Sequence, residues 1–273
     1  MSGLRILHVL DHSVPLQSGY AFRTLAILKE QRRLGYETFQ VTSTKHYGAS
    51  SNEEQVDGLT FYRTRPGASL LRRLPVTNQL MVSLDTAARV EEVARRVDVD
   101  LIHAHEFDAN VQGAFVAAIC GIPLVATVHG KHYFWEKCRR RLAYRWVSRQ
   151  ATMVAVSEDL KQFIVENVGA CPERITVLYN GVDVPMPPRQ AEVDACRKEL
   201  RLPHGDQIVG VVGNLYPVKG HQYLIEGIPA VLKKCPNTSF IFAGRGQLEK
   251  ELRDQVHRLG LDERVHFLGL RQD

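Results

Sequence analysis

The sequence predicts an α/β fold on parallel sheets, arranged in two units. Three observations carry this. Short apolar runs alternate with amphipathic stretches along the chain, and parallel strands need the crossover connections that such stretches supply as helices. The runs are near-continuous rather than alternating, as in Leu4–Leu10 and Pro123–Val128, which is the pattern of strands covered on both faces. The segment Val184-Pro185-Met186-Pro187-Pro188 can continue neither helix nor strand, and the alternation restarts after it.

Taken in order, Leu4–Leu10 is the first strand. A loop with Pro15 and Gly19 leads to a helix over Tyr20–Leu34, with Phe22, Leu25, Ala26 and Leu28 on one side and Gly35 just past its end. Strands follow at Glu37–Thr42 and Leu59–Arg63, then a helix at Thr77–Val97 with a charged outer face. Asp100–His105 is a short buried strand, followed by a helix through Cys120. Strands at Pro123–Val128, Thr152–Val156 and Arg174–Leu178 complete the series. The second series is strand Gln207–Val212, helix Gly220–Lys234, strand Thr238–Ala243, helix Gln247–Leu259 and strand Arg264–Leu268. The expected division is residues 1–183, a linker and first helix at 184–205, and a partial second domain at 206–273. So few elements make a poor doubly wound domain, which predicts a cut-short chain.

Composition narrows the class. Apolar residues make up 44% and charged residues 24%, which excludes a disordered chain or a collagen-like repeat. Five cysteines, odd in number and without a C-x-x-C pair, argue against a zinc site or a disulfide framework and fit free thiols in a reducing compartment. No apolar run reaches membrane-spanning length, and the opening segment turns polar too soon for a signal peptide. The expected location is cytoplasmic.

The net charge of +5 is unevenly spread. Lys137–Arg149 is dense in arginine, with Arg139, Arg140, Arg141 and Arg145 interleaved with aromatics, and Arg63, Arg65, Arg72 and Arg73 form a second group. Such runs are either solvated faces or surfaces that rest on anionic lipid. No nucleic-acid motif accompanies them, so nucleic acid is not the expected partner.

In open parallel sheets the ligand lies beyond the carboxyl ends of the strands. That directs attention to Asp11–Gly19, His105–Asp108, His129–His132, Ser157-Glu158 and Asn180–Asp183. In the loop before the first helix, Gly19 allows close backbone approach by an anion, and Ser18 is equally a helix cap. His129 ends a strand at the functional edge, and of His103 and His105 in the neighbouring strand one must face inward. Gly213-Asn214-Leu215-Tyr216-Pro217-Val218-Lys219-Gly220 joins a strand to a helix, where backbone N–H groups and Lys219 suit phosphate, although the Walker spacing is absent. Gly244-Arg245-Gly246 reads as a tight turn rather than a dinucleotide fingerprint. Neither G-x-S-x-G nor H-E-x-x-H occurs, which leaves hydrolase and metalloprotease readings unsupported.

The order of these pieces carries a resemblance. V-H-G at 128–130, V-S-E-D-L at 156–160, Y-N-G-V-D at 179–183, the 213–220 loop, F-A-G-R-G at 242–246 and R-V-H-F-L-G at 264–269 follow one another as in the GT-B glycosyltransferases of the family 4 type. The segment L-D-H-S-V-P-L-Q-S-G-Y-A-F-R-T at 10–24 is similar to the bacterial subgroup associated with exosortase and PEP-CTERM systems.

The resemblance implies two Rossmann-like domains across a cleft, with the acceptor on the first and a nucleotide-diphosphate sugar on the second. It implies transfer with retention of anomeric configuration and no cofactor or metal. By motif, His129 lines the cleft near the transferred sugar as the catalytic candidate. Gly19, Asn214 and Lys219 contact the donor diphosphate. Ser18, His105, Glu158 and Asn180 border the acceptor. The implied acceptor is a glycan or lipid-linked molecule in bacterial exopolysaccharide or cell-surface assembly, with Arg139, Arg140, Arg141 and Arg145 resting on the inner face of the plasma membrane.

There are two departures. Asn214 stands where the family usually has arginine, and the family's Glu-x7-Glu motif falls beyond residue 273. This predicts no useful transfer by the 273-residue chain alone. A sugar-nucleotide epimerase of the same architecture and a non-catalytic binding protein are the alternatives.

Overall fold

A computed structural model describes residues 3–16, 18–49, 51–68, 75–131 and 138–271. The expectations for Arg72, Arg73, His132 and Lys137 lie outside these residues. The chain divides into two compact units, Met1–Val182 and Asp183–Asp273.

In the first unit, strands β1 (Arg5–Leu10), β2 (Glu37–Thr42), β3 (Glu53–Val56), β4 (Leu59–Arg63), β5 (Leu101–His105), β6 (Leu124–Val128), β7 (Thr152–Ala155) and β8 (Ile175–Val177) form one sheet. Its order is β3-β4-β2-β1-β5-β6-β7-β8. All neighbours run parallel except the β3–β4 hairpin. Helices α1 (Gly19–Arg33), α2 (Pro75–Val97), α3 (Phe107–Cys120), α4 (Cys138–Gln150) and α5 (Glu158–Val168) make the crossovers.

Local sequence sets the helix ends. Ser18 and Ser157 cap α1 and α5 by accepting from the backbone N–H of Ala21 and Leu160. Gly121, at φ 69°, ends α3 in the left-handed region where a side chain is penalised. One face of the sheet is a core of Leu7, Val9, Ile102, Ala104, Leu124 and Ala126 under Val90, Val93 and Ala114 of α2 and α3. Leu10, Ala21, Leu28 and Phe61 form a second cluster under α1. A third gathers Tyr144 and Val128 with Met153 and Ile164. Each fully buried aliphatic side chain contributes about 1.5–3 kcal/mol.

Two expectations change. On α1 the buried residues are Ala21, Thr24 and Leu28, whereas Phe22 is 56% exposed and Ala26 is also exposed. The stripe follows the i, i+3, i+7 rows, a quarter-turn from the side that side-chain size suggests. The strand β3, Glu-Glu-Gln-Val, is too polar to read as one. It pairs with β4 through Asp57-Gly58, both at positive φ (53° and 74°), the two-residue hairpin geometry that Asp-Gly favours.

The second unit begins with a segment of neither helix nor strand and then α6 (Gln190–Glu199). Strands β9 (Gln207–Val212), β10 (Thr238–Ala243) and β11 (Val265–Gly269) form a parallel sheet in the order β11-β10-β9, with α7 (His221–Lys234) and α8 (Glu249–Arg258) as crossovers. Phe240, Phe242, Ile225, Ile228, Leu252 and Val256 make its core. Among the described residues no helix is long and apolar enough to cross a membrane.

Candidate active site

At the carboxyl edge of the first sheet, β1 delivers Asp11, the loop after β2 delivers Lys45, and the first turn of α3 delivers Asp108. Lys45 Nζ donates to Asp11 Oδ2 at 2.9 Å and also to Asp108 Oδ2. Burial alone would lower the Lys45 pKa. The two carboxylates outweigh it and hold the ammonium charged well above its ordinary value. Burial raises Asp11, with Lys45 opposing. The Tyr20 hydroxyl accepts from the Asp11 backbone N–H at 3.1 Å and donates to the His105 carbonyl at 3.2 Å, tying the β1 loop to the end of β5.

Histidines fill the sheet face beside this brace. Cross-strand register pairs His8 with His103 and His105 with Thr127, and His129 lies two residues beyond Thr127. All are therefore on one face. His8 Nδ1 lies 3.0 Å from His105 Nε2, His8 Nε2 lies 2.7 Å from Gln31 Oε1, and His129 Nε2 lies 3.5 Å from His105 Nδ1. His103 Nε2 pairs separately with Thr127 Oγ1 at 2.8 Å. Burial pushes His8 down to about 4 and His129 down to about 3, the latter helped by Arg23, and holds His103 and His105 well below the usual imidazole value. All four are neutral at pH 7. Ring nitrogens of His8, His103 and His105 come within 4.8 Å of one another, the grouping among the described residues that could hold a metal. Those nitrogens already face each other, Gln31 and Thr127 at hydrogen-bond distance, so a metal would have to displace these contacts.

Glu106 follows directly. It sits at the N-cap of α3 with φ 72° and no side-chain cap bond, a conformation that costs a non-glycine residue about 1–3 kcal/mol. Burial pushes its carboxyl up to about 7, against the pull of Arg23 at 4.0 Å. A carboxyl that titrates near neutrality beside a strand end can exchange a proton at physiological pH.

The structure brings some expected residues together and leaves others apart. His105 and His129 are neighbours. Ser18 is the α1 cap, and its Oγ also lies 2.7 Å from His12 Nε2. Gly19 opens α1 at negative φ, in open space on the exposed surface, so no backbone strain requires a glycine there. Glu158, in the first turn of α5, and Asn180 are both exposed. Of His103 and His105, both rather than one take the same face. On α4, Arg139, Arg141 and Arg145 are exposed, while Arg140 is half-buried with its guanidinium over Phe107 at 5.7 Å.

The second unit has a different edge. Gly213, Asn214, Ala243 and Gly244 line a hollow of about 350 Å³ with Leu200 and Leu270. A Cβ on Gly244 would sit 2.0 Å from the Gly213 carbonyl oxygen, and one on Gly246 2.4 Å from that of Leu215. These two glycines let the loops after β9 and β10 touch backbone to backbone. Lys219 is exposed in the Pro217–Lys219 turn, and Gly220, at φ 68°, leads into α7. Burial lowers the His221 pKa, and Lys219 adds to it.

The residue-by-residue reading missed Lys45, Tyr20, Arg23 and Glu106. Glu106 lay within a strand-end window that was singled out. Nothing in sequence marks Lys45.

The profile for Glycosyltransferase Family 4 matches residues 18–185, and that for Glycosyl transferases group 1 matches residues 192–273. The chain belongs to glycosyltransferase family 4. Among relatives of this family 4 chain, an uncharacterised glycosyltransferase of Methanocaldococcus jannaschii is 24% identical over 234 residues, 79% of this chain and 57% of the relative. The D-inositol 3-phosphate glycosyltransferase of Corynebacterium efficiens is 28% identical over 207 residues, 68% and 49% of the respective chains. The family 4 chain thus spans about half the length of the curated relatives it matches. Among solved structures, Anabaena HepE in complex with UDP-glucose superposes with a TM-score of 0.73 at 23% identity, over 98% of this chain and 69% of that one. The fold is the α/β, GT-B type.

Proposed function

We propose that this family 4 chain transfers a sugar, with retention, from a nucleotide-diphosphate sugar to a glycan or lipid-linked acceptor in bacterial exopolysaccharide or cell-surface assembly. The observation that carries the reading is the 213–220 loop. It lies in the stretch matched by the group 1 profile, leaves a parallel strand, and ends at an exposed lysine just before a helix. The Anabaena protein holds UDP-glucose, and the same donor class suits this loop.

Negative charge develops on the leaving diphosphate as the glycosidic bond breaks. Backbone N–H groups at the start of α7 and the Lys219 ammonium offset that charge without reorganising. Asn214 donates one hydrogen bond where an arginine would add a cation. No metal enters this scheme. In the first unit, His129 and Glu106 are the groups placed at the strand ends to meet hydroxyls. Family membership favours transfer over epimerisation.

The test is binding by the 273-residue chain. UDP or GDP is expected to bind in saturation-transfer NMR, with the corresponding monophosphate weaker. Lys219→Ala should lower diphosphate affinity about tenfold, the loss of one charge-assisted contact. If neither diphosphate binds, or Lys219→Ala leaves affinity unchanged, the reading fails.

The helix α4 supports an anionic membrane as the second partner. Arg139, Arg141, Arg145 and Arg149 are exposed beside Leu142 and Trp146, which are 67% and 37% exposed. That combination suits a headgroup surface. Each arginine there contributes about 1 kcal/mol, so Arg141→Ala with Arg145→Ala should weaken co-sedimentation with phosphatidylserine vesicles roughly 30-fold. Equal binding to neutral vesicles would refute the surface.

A further inference from the structure

The four groups Gln31, His8, His105 and His129 form a single file. Each imidazole in it has one proton to give and one lone pair to receive, because burial keeps all three neutral. The file therefore has a direction, and its far end decides which. A carbonyl oxygen only accepts. With Gln31 Oε1 at 2.7 Å, His8 must carry its proton on Nε2. His8 Nδ1 is then a lone pair, and the nitrogen 3.0 Å away, His105 Nε2, must donate to it. That leaves His105 Nδ1 as an acceptor, and His129 Nε2 at 3.5 Å is the donor that faces it. His129 Nδ1 ends the file as a bare lone pair, buried and with no hydrogen-bond partner among the described residues.

We infer that Gln31, on the opposite end of the row from the strand edge, fixes the tautomer of His129 through His8 and His105, so that His129 presents its Nδ1 lone pair, not an N–H, to whatever meets it. Gln31, His8 and His105 are positioning residues. The consequence is a chemical selection. A lone pair can receive a hydroxyl or another donor but repels a phosphate oxygen, so this nitrogen is suited to accept from a substrate hydroxyl and unsuited to the diphosphate. This last step rests on the transferase reading above, whereas the tautomer is a property of the ligand-free protein. His103 stays outside the file, since its Nε2 turns to Thr127.

The two directions can be told apart by substituting the terminal group. Gln31→Glu supplies an acceptor only and should preserve the wild-type direction. Gln31→Leu removes the terminal acceptor, and His129 should become a mixture of tautomers. Thr127→Val breaks the neighbouring histidine contact and should leave His129 unchanged. Long-range 1H–15N correlation spectra of the 273-residue chain, without ligand, distinguish protonated from bare ring nitrogens. The expected result is Nε2–H and bare Nδ1 for His129 in the wild type, Gln31→Glu and Thr127→Val, with averaged nitrogens in Gln31→Leu. A proton on Nδ1 in the wild type, or a Gln31→Leu spectrum identical to it, overturns the inference. Since no nucleotide is present, failure of the diphosphate-binding test leaves this result standing, and the reverse is equally true.

Discussion

The two sheets end in different materials. At the edge of the first, side chains do the holding: Lys45 between two carboxylates, Tyr20 across two loops, and a file of imidazoles kept neutral by burial. At the edge of the second, backbone does it: Gly244 and Gly246 bring two loops into contact, and Lys219 and Arg245 stand in solvent. Side-chain networks fix protonation states, which suits chemistry on hydroxyls. Bare backbone with a loose cation suits an anion whose oxygens take N–H groups as they come.

The contrast can be broken from either side. The largest effect is expected in the first unit, at Arg63, whose side chain is 1% exposed. It donates to Glu54 at 2.8 Å and to the Val14 carbonyl at 2.7 Å. Arg63→Met removes the buried guanidinium and with it both of these bonds, and should cost about 3–5 kcal/mol in urea unfolding. In the second unit the comparable weak point is a glycine. Gly244→Ala forces a Cβ against the Gly213 carbonyl and should cost about 1–3 kcal/mol. If it is neutral, the backbone contact between the loops is not what holds that edge.

Acid sharpens the comparison. The histidines His8, His46 and His129 are lowered to about 4, 4 and 3 in the fold. Their neutral forms stabilise it above the unfolded value of about 6.5, and that stability is lost as pH falls from there toward 4. Each group contributes up to about 1.4 kcal/mol per pH unit in that window. Glu106, raised to about 7, and Asp11, raised by burial, act in the opposite sense, stabilising at low pH and losing that contribution as pH rises, but with His103 and His105 also lowered the histidines outnumber these two carboxyls. Unfolding of the first unit should therefore steepen in acid, less so in His8→Phe. A flat profile between pH 6.5 and 4 would mean that these rings are not buried neutral. The smallest stability effect is expected at Lys219, where Lys219→Ala should shift unfolding by less than about 0.5 kcal/mol while weakening diphosphate binding.

The alternation of strands and helices was legible because period and loop chemistry are local. The β3–β4 hairpin was missed although Asp57-Gly58 is a strong turn signal, since Glu53 and Glu54 hide the strand. The site was legible where it follows a strand end, as with His105 and His129, and illegible where it depends on which strands become neighbours. Nothing in Leu-Arg-Ile-Leu-His says that His8 will lie beside His103, for register across a sheet is a tertiary fact. The same holds for Gln31, one polar residue among many on a helix.

Lys45 is 34 residues from Asp11 and 63 from Asp108, yet it serves both. Losing the lysine would leave two carboxylates facing each other in a half-buried corner, and losing either acid would leave the ammonium short of a counter-charge. Natural variation should therefore treat the three as one heritable character, kept or exchanged together. In an alignment of related chains that constraint would surface as correlated substitution between segments distant in sequence, legible to anyone who had never seen the fold.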